Sequence, residues 1–158
     1  MNTKVNIGIA EKNLKGVIDI LQNTLADEHV IYIKTRNYHW NIKGPSFLEI
    51  HRLLEEQYEV LVETIDQIAE RIKKLGGKAN GTMKEFIETT RLSEGPYHDH
   101  QTEQVKQLLA DHEALIRSLR EDITKCDEDF EDAVTTDFLT GVMSKHEDIA
   151  WMLRSYLG

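Results

Sequence analysis

At 158 residues, with 40% hydrophobic and 30% charged side chains and a formal net charge of −9, the chain has the size of one domain, expected to span 1–158, and can bury a core while staying well solvated. The low content of proline (2) and glycine (9) excludes collagen-like and Pro-rich disordered classes, and a lone Cys126 excludes a disulfide framework or a Cys-rich zinc site. No apolar run approaches the ~20 residues of a membrane span, and no secretion-type apolar segment opens the sequence, so a cytoplasmic protein without membrane contact is expected.

Four stretches carry helical periodicity. The first runs from about Ile9 to Tyr38, with Leu14, Val17, Ile18, Leu21, Leu25 and Tyr32 on one face. Asn41 to Gly44 breaks it. Ser46 and Glu49 form a capping-box pattern that opens a second stretch, which stops at Gly76-Gly77. The connection 78–100 contains a second capping-box pattern, Thr82 to Glu85, predicting a short helix over Met83 to Thr89. A third stretch spans Gln101 to Lys125 and a fourth Phe130 to Leu157. No segment alternates at period two. The expected fold is all-α: a four-helix bundle with a short extra helix in the long connection between helices two and three.

The second stretch carries the chemistry. At about 100° per residue, Ile50, Leu54, Leu61, Ile65, Ile68 and Ile72 form the core stripe. His51, Glu55, Glu59, Asp66 and Glu70 share another face. Taken alone, that face also reads as an ordinary solvated acidic surface. His51/Glu55 and Asp66/Glu70 are each i,i+4 pairs that can converge on one cation. The pairs lie 15 residues apart, roughly 22 Å along the axis, whereas metal–ligand bonds are about 2 Å. One helix cannot bring both to one ion. A second copy packed antiparallel across a two-fold axis can, and would create two equivalent sites. His39 lies just before the chain reversal, so it is a candidate further ligand, as well as a candidate cap or core residue. Imidazole with carboxylates and no thiolate suits iron, manganese or zinc. No histidine has Glu three residues before it, so the Glu-x-x-His pattern of intra-bundle di-iron sites is absent.

The run Asn37-Tyr-His39-Trp40-Asn41-Ile-Lys-Gly44-Pro45-Ser-Phe47, followed by His51, Ile65-Asp66-Gln-Ile-Ala-Glu70-Arg71, Leu75-Gly76-Gly77, Thr82 to Phe86 and Ala150 to Gly158, resembles the Dps family of mini-ferritins over essentially the whole chain. The resemblance implies a ferritin-like subunit of a hollow dodecamer. It implies ferroxidase sites at two-fold interfaces, with His39 and His51 from one chain and Asp66 and Glu70 from its mate. It implies Fe²⁺ oxidation by hydrogen peroxide or O₂, storage of ferric mineral, and protection against oxidative damage. Zinc or manganese are possible substitutes for iron. Several family members have Asp where this chain has Glu55, so direct ligation by Glu55 is open. Trp40 matches a tryptophan beside the centre, with packing or redox as its role.

The resemblance also implies an acidic iron-entry pore near the start of the fourth helix, with Asp137 as its best match and Asp132 as a second candidate. Asp129 and Glu131 read instead as acids favouring the helix dipole. Tyr97-His98-Asp99-His100 reads as a polar connection, His29, His112 and His146 as structural, and Cys126 as unreactive. The alternative function is an architectural DNA-binding protein of the nucleoid. Family members that bind DNA directly often use a Lys-rich mobile tail. Here the first sixteen residues mix Lys4, Lys12 and Lys15 with Glu11, and no basic tail closes the sequence. Twelve copies at −9 each carry about −108 in all. Tight direct DNA binding at neutral pH is therefore not expected.

Overall fold

The structure, a computed structural model, describes residues 4–158. Five helices follow in order: α1 Glu11–Asn41, α2 Phe47–Lys74, α3 Met83–Thr89, α4 Gln101–Glu128 and α5 Ala133–Leu157. α1 packs along α2 and α4 along α5, and the two hairpins close into a four-helix bundle through α1 with α4 and α2 with α5. No strand occurs among the described residues.

Periodic Leu, Ile and Val residues build one core. Leu21, Ile31, Leu54, Ile68, Leu108, Leu119, Leu139 and Leu153 are all essentially inaccessible, and each such side chain stabilises the fold by about 1.5–3 kcal/mol. The α2 stripe is buried as its period requires, with Ile65 at its half-buried edge. α2 ends in a Schellman motif: Gly76, at φ 86°, and Gly77 donate their N–H groups to the carbonyls of Lys73 and Ile72. Gly16 lets the C-terminal end of the α4 hairpin approach α1, since a Cβ there would lie 2.3 Å from the Phe130 ring.

Two helix starts differ from the sequence expectation. Ser46 occupies the N-cap of α2, but its hydroxyl caps nothing. Its backbone N–H instead donates to the Gln101 side chain at 3.3 Å. Thr82 and Glu85 do form the full reciprocal box on α3. α5 begins at Ala133 rather than Phe130, because Glu131 adopts a left-handed φ of 54° and Asp132 becomes the cap. The Asp132 carboxylate accepts from the Thr135 N–H at 3.0 Å and the Thr135 hydroxyl at 2.6 Å, and pairs with Arg71 of α2 at 3.1 Å. These partners hold its carboxyl below the usual carboxylate range against the opposing effect of burial.

The long crossover is tied down by Arg91. Its guanidinium joins Asp27 of α1 and Asp122 of α4, each at 2.7 Å. Asp27 also accepts from the Thr90 hydroxyl and the Arg91 N–H. Both carboxylates are almost wholly buried. An Arg91→Met variant is expected to lose about 3 kcal/mol of unfolding free energy, because it strands two buried negative charges. Urea denaturation at pH 7 measures this, and a loss below about 1 kcal/mol would show the node to be replaceable.

Candidate metal centre

The α1–α2 turn brings His39 and His51 face to face. Their rings stack at 3.8 Å and 17°. Each ring's Nδ1 lies 2.8 Å from the other residue's backbone carbonyl, His39 to His51 O and His51 to His39 O. A carbonyl only accepts, so each Nδ1 carries the proton and each neutral ring presents Nε2 as a bare lone pair. This is how a backbone carbonyl fixes the tautomer of a metal-ligating histidine.

Neighbouring rings set the orientation. Phe47, in the first turn of α2, stacks on His51 at 5.1 Å, and Tyr58 meets the His39 ring edge-on at 5.3 Å. Desolvation and the adjacent Glu55 and Glu59 carboxylates push the Tyr58 phenol above its ordinary value. Trp40 is 62% exposed, so it is not a core packing residue of the chain. The Arg36 guanidinium lies 4.7 Å above its ring and also donates to the Tyr32 hydroxyl. Phe47, Tyr58 and Arg36 had no role assigned from sequence. The i,i+4 spacing of Arg36 and Trp40 was the available signal for that pair.

The carboxylates are placed as the helical wheel required. Glu55, Asp66 and Glu70 are exposed on α2, while His51 is half-buried and His39 nearly enclosed. Glu70 makes one loose contact of 3.8 Å with Lys74, which contributes little at such exposure. α2 is uninterrupted from Phe47 to Lys74, so the two ligand pairs stay about 22 Å apart. Among the described residues no group of three or more His, Cys, Asp or Glu side chains is arranged to hold a metal ion within one chain. A single chain therefore carries two separate candidate ligand pairs. Between them α2 exposes Val62. Around Asp66 it borders an open groove of about 630 Å³ with a mixed lining, apolar at Leu25, Val62 and Phe86 and polar at His29, Glu63 and Asn80.

Other predicted residues divide clearly. Asp137 is exposed on α5, free to face a channel. Asp132 is corrected: it is 2% exposed and fully engaged by Arg71 and Thr135, so it cannot line a pore in this conformation. Cys126 is buried, and desolvation pushes its thiol up to about 12, which keeps it unreactive. His29 stacks on Phe86 at 3.7 Å. His112 and His146 lie in the core with Glu28, a grouping the sequence did not reveal.

Ligation and packing by His51 are separable. Asn in its place keeps a short N–H donor for the His39 carbonyl but lacks Nε2. His51→Asn is expected to unfold within about 1 kcal/mol of the parent while losing Co²⁺ binding, read from its visible spectrum. His51→Ala should lose both. Retained Co²⁺ binding in His51→Asn would remove His51 from the centre.

Comparison with known proteins agrees with this architecture. Residues 18–158 match the family model of the ferritin-like domain. The chain is 36% identical over 143 residues to DNA protection during starvation protein 2 of Bacillus anthracis, covering 90% of this chain and 97% of that one. It is 44% identical over 155 residues to a low temperature-induced protein of Nostoc, covering 98% and 87%. Among solved structures, Dps from Mycobacterium smegmatis superposes with a TM-score of 0.92 at 26% identity, covering 99% and 94%. Dps from Vibrio cholerae, described as one of the ferritin-like diiron-carboxylate proteins, gives 0.91 at 26% identity, covering 98% and 97%. The chain belongs to the Dps family of ferritin-like proteins.

Proposed function

We propose that this protein is a ferroxidase and iron store. His39 and His51 of one subunit and Asp66 and Glu70 of a two-fold partner bind Fe²⁺ as substrate. The observation that carries this reading is the reciprocal ring-to-carbonyl bonding of His39 and His51, which leaves two preset Nε2 donors. The acceptor-only carboxylates across the interface favour Fe³⁺ over Fe²⁺ and so assist oxidation. Glu55, one turn from His51, supplies a further carboxylate by direct or water-mediated contact.

The two-fold arrangement follows from α2. Antiparallel pairing of two copies sets each His51/Glu55 pair opposite an Asp66/Glu70 pair, and it covers the exposed Val62 between them. Hydrogen peroxide is the preferred oxidant. It takes one electron from each of two Fe²⁺, its O–O bond breaks, and with water the products are ferric oxyhydroxide and protons. A dodecameric cage collects the mineral, with Asp137 at the iron-entry pore. Zinc or manganese would occupy the same ligands without completing this redox step. Removing iron and peroxide together limits hydroxyl radical, which offers a route to DNA protection that requires no contact with DNA. The relatives' names refer to DNA protection, and the −9 charge per chain opposes direct binding.

Stopped-flow oxidation of Fe²⁺ after addition of peroxide tests the assignment. His51→Asn and Asp66→Asn should each slow it by at least about tenfold, on the order of 1.4 kcal/mol, while gel filtration shows the oligomer intact. Oligomers reassembled from both variants should recover part of the rate, because some interfaces then unite two intact half-sites. Unchanged rates in both single variants would refute the site. For the charge argument, an electrophoretic shift at low salt and neutral pH should show no retarded DNA complex with micromolar protein.

A further inference from the structure

The core of the bundle holds a chain of ionisable groups that iron chemistry does not use. Glu28 of α1, His146 of α5 and His112 of α4 are each at most 1% exposed. Glu28 Oε1 lies 2.6 Å from His146 Nε2, and His146 Nδ1 lies 2.8 Å from His112 Nδ1. Two atoms at the ends, Glu28 Oε2 and His112 Nε2, have no partner. Three of the four long helices thus meet through hydrogen bonds whose protons can be counted.

With both imidazoles neutral the count is fixed. His146 Nε2–H donates to the Glu28 carboxylate, so His146 Nδ1 must accept, and His112 Nδ1–H supplies that bond. His112 Nε2 is then a buried lone pair. One added proton makes His146 an imidazolium between a carboxylate and a neutral ring, an arrangement with opposite charges in contact. A further proton can go to the Glu28 carboxylate, which would end that ion pair, or to His112 Nε2. On His112 it meets a charged neighbour and no acceptor at Nε2.

The other groups facing His112 make that proton still less welcome. α1 contributes Lys34, already paired with Asp111 of α4 at 2.6 Å and with the Ser93 carbonyl at 2.7 Å. Asp111 is therefore committed. α2 offers no charge to the core, since its buried polar side chains are Gln57 and Thr64. Desolvation first, then His146 and Lys34, hold the His112 imidazole well below the ordinary histidine value.

We propose that the Glu28–His146–His112 chain is an acid-sensitive latch: it joins α1, α4 and α5 while His112 is neutral, and protonation of His112 releases the bundle. The sign follows from linkage. The unfolded chain takes the His112 proton at about pH 6.5 and the folded bundle does not. Stability is full above that pH and falls as pH drops below it. Each pH unit then multiplies the unfolding constant by about ten beyond what other groups contribute.

The test uses full-length protein. Denaturant unfolding is measured at constant salt from pH 8 to pH 5 for wild type, His112→Gln and His146→Gln. The wild-type unfolding constant should rise about tenfold more steeply per pH unit below pH 6.5 than that of His112→Gln. Hydrogen–deuterium exchange at histidine C2 in the wild type, read by mass spectrometry, should report His112 as neutral at pH 5.5. That second measurement decides the matter if the variants do not fold. Equal slopes, or His112 titrating near 6.5 in the folded protein, would overturn the proposal. So would one equivalent of zinc or iron per purified chain that His112→Gln loses, since a cation rather than a proton would then occupy the chain.

Discussion

A straight helix keeps its ends apart, and the proposed metal centre of this protein is arranged around that constraint. α2 presents a histidine–glutamate pair near one end and an aspartate–glutamate pair near the other. No rotamer change closes a gap of about 22 Å. The fold holds each pair rigidly on a packed helix instead, where the core stripe of Ile50, Leu54, Leu61, Ile68 and Ile72 fixes which way the opposite face looks. Completion of the proposed centre then becomes a property of the interface between chains. Precision at such a site comes from the scaffold, because side chains on a buttressed helix wander less than those on a loop.

The histidine side of the proposed centre is organised within the single chain. His39 closes α1 and His51 opens α2, and each ring spends its Nδ1 proton on the other's carbonyl. The His39 carbonyl lies in the last turn of α1, where main-chain acceptors are otherwise short of partners, whereas the His51 carbonyl, early in α2, takes the ring N–H as a further donor. One pair of hydrogen bonds therefore satisfies a helix-end acceptor, staples the turn and fixes the ring tautomers. Phe47 and Tyr58 then limit ring rotation.

Much of this was legible in the sequence because it obeys a period. The four helices, the short α3 with its Thr82–Glu85 box, the stop at Gly76 and the acidic face of α2 all follow from residue spacing alone. Failures occurred where a local pattern met a stronger distant partner. Ser46 has the right neighbour for a capping box, yet its backbone N–H is drawn to Gln101, 55 residues away. Asp132 reads from the sequence as a candidate pore acid, but Arg71, 61 residues earlier, pulls it inside and resets the start of α5. Such pairings depend on which helices become neighbours, which periodicity does not encode.

Glu28 is the more instructive case. It lies in register with Leu14, Leu21 and Leu25 on the buried face of α1, so a carboxylate interrupts an apolar stripe. That interruption was visible, but its meaning was not, because the compensating histidines sit on α4 and α5 and carry no motif. A buried carboxylate is tolerated only when hydrogen-bonded or paired. Its presence in a leucine face therefore implied partners on some other helix. The structure supplies them through His146 and then His112. Replacing the three groups with leucines would make the core more apolar, but it would also remove a hydrogen-bonded chain joining α1, α5 and α4. Buried polar contacts of this kind select one arrangement of helices over others of similar hydrophobic burial. In a bundle whose proposed metal centre requires α2 to face outward in one register, that selection would act directly on the site.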